Sequence, residues 1–427
     1  MQSKKMMKRW LGLLLVLVLL LASCATNGGV EPSDTQESKS EESTTAAPEI
    51  PEKVIPTKLR ANILATGLVG RQITTRQQYH GWPSVCVDEN GTLYAVASRR
   101  YLHICPFGET VMYTSTDGGS TWSPGTVIND TPMDERDAGI VYLGDGKLLL
   151  TCFNHATEFY LNYEVGWKKY VTQEEYDQLL ASWAAMPDAE KRSVSYVRIS
   201  EDYGKTWGEP ISVPVFAPHG PTVLSTGTLL YVGSASGQTD YGAGIYAIRS
   251  KDGGKTWTHA YQIPVPDAYQ KNGYRVCEPH VTQLESGRIV VVMRVQGPTT
   301  NDLETLITYS DDWGSTWSMA KVMDWQGAPA HLLQLENGVL VCTYSRRTYS
   351  DTHGPTGIYA RYSSDEGVTW SDAITLSVSN DPYSDDLGYP ATEQLADGTL
   401  VSVYYMRYQY DNKPSIMYTK WQLNEVE

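Results

Sequence analysis

Ser115-Thr116-Asp117-Gly118-Gly119-Ser120-Thr121-Trp122 is a turn that this chain repeats. The pattern Ser-x-Asp-x-Gly-x-Thr-Trp returns at Ser200–Trp207, Ser250–Trp257, Ser310–Trp317 and Ser363–Trp370. A short acidic side chain can bond the amides of its own turn, glycine supplies a permissive backbone angle, and tryptophan pins the turn onto its sheet. Upstream of each box lie a short strand, a Gly-containing hairpin and an apolar strand. Hairpins of this type occur at Gly91, Gly146, Gly227, Gly287, Gly338 and Gly398, so there are six hairpins and five boxes. One such unit leaves an apolar face open, and the stable solution is to stack units until a ring closes. The fold expected over residues 61–427 is therefore all-β, a six-bladed β-propeller. The sixth hairpin has no box. Its blade is expected to be completed by an N-terminal strand near Ala61–Thr75 pairing with the C-terminal strand Ser415–Leu423.

The interval between the first two boxes is the longest and holds an insertion over roughly residues 160–192. Thr172-Gln173-Glu174-Glu175 makes a capping box, and Tyr176, Leu179, Leu180 and Trp183 form an apolar stripe, which predicts a short helical insertion in the second blade. Such a helix either shields one side of a ligand mouth or only decorates the blade. The 427 residues include 29 Tyr and 12 Trp against 4 Phe, with 36 Gly and 22 Pro. Aromatics with a polar handle suit strands and carbohydrate faces. The net charge of −15 argues against nucleic acid as a partner, and any anionic ligand would need a local cluster of Arg.

Lys4, Lys5, Lys8 and Arg9 precede the apolar run Leu11–Leu21, and Leu21-Ala22-Ser23-Cys24 follows it. Residues 1–23 resemble a bacterial lipoprotein signal peptide, with Cys24 as the lipidated first residue of the mature chain. Residues 24–60, rich in Ser, Thr, Glu and Pro, cannot bury enough surface to order themselves and read as a tether. The expected setting is extracytoplasmic, with the protein held on the bacterial membrane or surface by the Cys24 lipid, and the expected state is a monomer. Cys86, Cys105, Cys152, Cys277 and Cys342 lack CxxC spacing and read as buried thiols, so neither a metal nor a cofactor is expected.

In a propeller, the start of each innermost strand and the end of its neighbour point toward the axial mouth. Those positions hold Trp82, Arg136, Asp137, His219, Glu278, His280, His331 and Tyr389, and then Arg99, Arg100, His155, Arg294, Arg346, Arg347, Tyr404 and Tyr405. Charged and aromatic side chains thus gather where the repeat alone does not require them, which favours a ligand site.

Five Asp-box turns on six hairpins resemble the sialidase (neuraminidase) superfamily over about residues 75–425. The boxes are structural in that family. Its chemistry is matched most closely by Cys277-Glu278-Pro279-His280-Val281 running on to Arg294. The resemblance implies that Glu278 is the base for a tyrosine nucleophile and that Arg294 grips the substrate carboxylate. Tyr389, in Gly388-Tyr389-Pro390-Ala391, stands where the family carries its nucleophile, and Arg347 or its neighbour Arg346 stands for a second carboxylate-binding Arg.

Three departures matter. The family's first Arg is absent, because the segment reads Gly81-Trp82-Pro83. The Glu that supports it is replaced by Tyr405. The loop aspartate that serves as acid/base corresponds to His103, with Glu109 and Asp137 as substitutes. Arg136 either replaces the missing guanidinium or fixes the blade entrance as a local ion pair. Trp82, His280 and Tyr405 complete the expected substrate-binding set. The implied activity is an exo-acting glycoside hydrolase releasing a terminal acidic sugar, sialic acid by default, from extracellular glycans. The alternatives are a hydrolase or lyase for another anionic sugar such as a uronate, and a non-catalytic glycan-binding lipoprotein.

Overall fold

The computed structural model describes residues 54–426, apart from 163, 189–190, 192, 236–240, 259–260, 272, 298–302, 348–353 and 382–383. The expected signal peptide, Cys24 and most of the tether lie outside the described residues. Six antiparallel sheets follow one another along the chain. The first four blades run from Tyr79–Val87 to Thr126–Asn129, from Asp134–Gly144 to Ile211–Val213, from Val215–Phe216 to Tyr261–Gln262, and from Arg275–Gln283 to Lys321–Gln326. The fifth runs from Ala330–Gln334 to Ile374–Val378. The sixth joins Gly388–Gln394, Leu400–Arg407 and Pro414–Glu425 to the N-terminal Leu59–Gly70. The fold is the expected six-bladed propeller.

The strands of each blade are apolar on both faces because each blade is packed between two others. In the second blade Leu148 and Leu150 join the cluster shared with the first, whereas Leu149 joins the cluster shared with the third. In the fourth blade Val291, Met293 and Val295 face the third blade, while Val290 and Val292 face the fifth. Every blade interface carries such a cluster, including the closing one, where Val85 and Leu93 meet Val401 and Ile416.

Each box works as a local clamp. In the first, Asp117 Oδ1 accepts from Ser115 Oγ at 2.8 Å and from the Thr121 amide at 2.9 Å, and Oδ2 accepts from Thr121 Oγ1 at 2.6 Å. Trp122 Nε1 returns a bond to the Gly119 carbonyl at 3.2 Å. These donors hold the carboxyl well below its ordinary range.

Ring closure is antiparallel, from Leu59 opposite Glu425 to Gly70 opposite Ile416. A chain that begins at residue 71 leaves Pro414–Glu425 as an unpaired edge. Such a truncation is expected to elute as aggregate in size-exclusion chromatography, whereas a chain that begins at residue 54 elutes as a single folded species.

The insertion is helical at Thr157–Leu161, Glu164–Trp167 and Gln173–Ala185. The longest helix has the expected capping box between Thr172 and Glu175. Of the apolar stripe, Leu179 is buried with Tyr160, Trp167 and Cys105, and Tyr176 packs beside them. Tyr101, Leu102 and Phe107 contact the same cluster, so the insertion braces the loop that carries His103. It is more than decoration.

Candidate active site

Four blades share one backbone device at the axis. The ladder between the two inner strands skips a step between Gly81 and Ser84, Arg136 and Gly139, Cys277 and His280, and Gly388 and Ala391. Within these bulges Trp82, Asp137, Glu278 and Tyr389 adopt φ of 53°, 45°, 48° and 53°. Large side chains avoid this region, at a cost of about 1–3 kcal/mol each. Such strain persists where the surroundings impose it, and functional sites are where it collects. Pro83, Pro279 and Pro390 follow three of the four, so the bulge leaves no amide donor without a partner there.

The four side chains line a cavity of about 510 Å³, together with His103, Arg136, Arg275, Arg294 and Arg347. Phe153, His155 and Phe216 form its wall on the second and third blades. Tyr389 Oη donates to Glu278 Oε1 at 2.7 Å, and Arg294 donates to Glu278 Oε2 at 2.7 Å. Burial pushes the Glu278 carboxyl up, but Arg294, the Tyr389 hydroxyl and Arg347 outweigh it, so the group is held below its ordinary range. Burial, reinforced by Glu278 and Asp137, pushes the Tyr389 phenol well above its ordinary value. At neutral pH the pair is a carboxylate accepting from a neutral phenol.

Asp137 faces the same cavity. Burial, partly opposed by Arg136 and reinforced by Glu278, pushes its carboxyl up to about 6. Its Oδ1 has no hydrogen-bond partner among the described residues.

His103 stands at the other end. Its Nδ1 lies 3.0 Å from Asp386 Oδ1 and 2.7 Å from Tyr79 Oη, and Tyr79 Oη also donates to Asp386 at 2.5 Å. Burial lowers the His103 pKa, Asp386 opposes this, and the net shift is downward.

Gly81 occupies the position where the resemblance implied a guanidinium, and two guanidinium groups lie over the indole of its neighbour Trp82, Arg136 at 4.5 Å and Arg100 at 4.9 Å. Asp134 holds both, and Tyr160 of the insertion also donates to it. Arg136 donates to the His103 carbonyl at 3.2 Å as well. Arg136 therefore lines the cavity while it is ion-paired at the blade entrance.

Four expectations need correction. His280 is not at the cavity. One turn of the pleat deeper, it stacks on His331 at 4.0 Å and accepts from the Leu332 amide, in the channel below. Arg346 points away, its guanidinium 4.2 Å from the centre of the Tyr359 ring; Arg347, one residue on, is the one in the cavity. Tyr405 is fully buried behind the wall, where its hydroxyl accepts from Arg347 at 3.1 Å, so it supports that Arg and does not face a substrate. Glu109 is bound to Arg99 at 2.6 Å and does not line the cavity.

Sequence reasoning missed Asp386, Tyr79 and Arg275. Asp386 had a signal in the acidic pair Asp385-Asp386 just before Tyr389. Arg275 had one in its place two residues before Cys277 on the same strand. Tyr79 had none beyond its place at a strand start.

Fold and cavity together define a propeller of the sialidase type. A family model described as a BNR repeat-like domain matches residues 171–403. The chain belongs to that family. No curated protein matches it in sequence. Among solved structures, a protein of unknown function from Dyadobacter fermentans is similar with a TM-score of 0.67 and 21% identity, over 85% of this chain and 99% of that one. A sialidase from Streptococcus pneumoniae has a TM-score of 0.59 and 13% identity, over 84% of this chain and 70% of that one. An α-L-arabinanase from Penicillium chrysogenum has a TM-score of 0.54 and 16% identity, over 84% and 98%. At these identities the likeness is one of fold, a fold shared with glycoside hydrolases.

Proposed function

We propose that this protein is an exo-acting glycosidase that releases a terminal acidic sugar, sialic acid by default, from glycans outside the cell, where the lipid on Cys24 would hold it. The observation that carries this reading is the hydrogen bond from Tyr389 to Glu278 in a cavity that also presents Arg294 and Arg347. In a chain of net charge −15, that guanidinium cluster favours a carboxylate ligand. Glu278 takes the phenolic proton as the Tyr389 oxygen attacks the anomeric carbon and forms a glycosyl–tyrosine bond. A neutral phenol approaches an anionic sugar without the repulsion a carboxylate nucleophile would meet. His103 protonates the leaving oxygen, with Asp386 steadying the imidazolium, and then activates the water that releases the sugar. Arg136 supplies a third guanidinium at the indole of Trp82, and Asp137 receives sugar hydroxyls.

A second reading, cleavage of a uronate by hydrolysis or elimination, is favoured by Gly81 and Tyr405, which replace the first Arg and its carboxylate partner. Assays for free sialic acid and for the unsaturated product of uronate elimination, run in parallel, separate the two. A Glu278→Gln protein that keeps its original rate of product release would sink both.

The pH profile tests the acid assignment. The Glu278 base must be ionised, and Arg294 and its other partners hold its pKa below the ordinary carboxyl range. His103 must be protonated for the first step, and burial lowers its pKa from that of a free imidazole. The expected kcat/KM therefore rises as Glu278 ionises, peaks on the acid side of neutrality, and falls as His103 loses its proton, earlier than a free imidazole would. In His103→Ala the upper limb disappears and kcat falls about 10²–10⁴-fold with a poor leaving group, less with an activated aryl one.

A further inference from the structure

His103 lines two cavities. One holds the Tyr389–Glu278 pair; the other, of about 300 Å³, is lined by Tyr79, Lys169, Tyr170, Asp386, Arg407, Asn412 and Lys413, among others. A general acid must touch the leaving oxygen, so the group that departs lies next to that acid, beyond the oxygen from the attacked carbon. The second cavity meets the first at this acid.

Its charge is unlike that of the chain as a whole. Lys169 and Lys413 flank the half-exposed Tyr170 ring, their ammonium groups 5.2 and 5.8 Å from its centre, and neither has a carboxylate partner among the described residues. Arg407 adds a third cation, paired with Asp381 at 2.8 Å. The carboxylate that lines the cavity, Asp386, is engaged by His103 and Tyr79. The insertion supplies Lys169 and Tyr170, and it is fixed by Trp167, which donates to the Tyr160 carbonyl at 3.1 Å, and by Tyr160, which donates to Asp134.

We infer that this second cavity is a leaving-group subsite for an anionic sugar, and that the natural substrate is a glycan in which the acidic terminal sugar is linked to a further anionic residue. The inference rests on the reading of His103 as the acid. Tyr170 would take the apolar face of the second ring, and Lys169 and Lys413 its carboxylate or sulfate.

The test uses substrates with one donor sugar and different leaving groups: sialic acid on neutral lactose, on sulfated lactose and on a second sialic acid. The wild-type protein is expected to favour an anionic leaving group in kcat/KM by about tenfold at low salt, with the preference shrinking at 0.5 M salt. Preference for sulfated lactose points to a sulfated glycan, and preference for the sialic acid dimer to a chain of carboxylated sugars. In Lys169→Ala/Lys413→Ala the preference disappears, whereas a merely structural defect lowers all substrates together and leaves the ratio intact. Equal rates for neutral and anionic leaving groups in the wild type overturn the inference while leaving the proposed activity standing. If no substrate turns over, the proposed activity fails. The subsite is then judged by calorimetry with the sialic acid dimer and with digalacturonate. Tighter binding of either dimer than of its monomer, lost in the double variant, upholds the subsite, and its absence overturns it.

Discussion

Tyr389→Phe is expected to lose at least about 10³ in kcat on an aryl sialoside while remaining folded. A loss of that size corresponds to about 4 kcal/mol of transition-state stabilisation. The change deletes one hydroxyl from a side chain that is 4% exposed and leaves the ring in the cluster shared by the first and sixth blades. Glu278 keeps its bond to Arg294, so no buried charge is stranded. Stability should therefore move by only about 1 kcal/mol, the net worth of one hydrogen bond. Glu278→Gln should lose about 10²–10⁴, because the amide accepts the phenol's hydrogen bond but does not take its proton. Steady-state rates together with thermal melts check both variants. A Tyr389→Phe protein within about tenfold of wild type would remove the nucleophile from the scheme and leave two carboxyl groups, Glu278 and Asp137, to do the chemistry.

Arg294→Met should cost about 3–5 kcal/mol of stability at neutral pH, the price of a buried carboxylate without its partner. Burial is the largest influence on Glu278 and pushes its pKa up; Arg294 is the first of the groups that reverse this. Without it the folded-state pKa rises above that of the unfolded chain. An acid raised on folding destabilises above its folded pKa, so the deficit should be greatest at high pH and shrink as acidification protonates Glu278. Adding Glu278→Gln should recover most of the loss. Urea unfolding of the single and double variants at two pH values measures the cycle. A deficit that does not depend on pH would mean that Arg294 contributes through packing alone.

Much of the fold was legible because the boxes fix the register of five blades and the hairpin repeat marks the sixth. The closing strand was legible for the same reason, since the sixth hairpin lacked a fourth strand. The site was legible where a residue's role follows from its place in a strand, as with Glu278, Arg294 and Tyr389, which converge as expected. It was illegible where depth or facing decides. His280 lies two residues beyond Glu278, and about 3.3 Å per residue carries it out of the cavity and into the channel. Arg346 and Arg347 are neighbours, so one of the pair had to point away, and only the packing of Tyr359 shows which. Asp386 reaches His103 across 283 residues of sequence, a distance no local pattern spans.

The bulges have a further consequence. Because the backbone aims Trp82, Asp137, Glu278 and Tyr389, each behaves as a socket into which another side chain can be fitted without redirecting the strand. Exchange at one socket changes the reagent presented to the axis; at Asp137 and Glu278 the side chain lies outside the blade clusters, whereas Trp82 and Tyr389 belong to the one between the first and sixth blades. Such exchanges let a propeller trade one ligand chemistry for another by single substitutions, provided that the newcomer tolerates a left-handed backbone and, at Trp82 and Tyr389, fills the same place in the cluster.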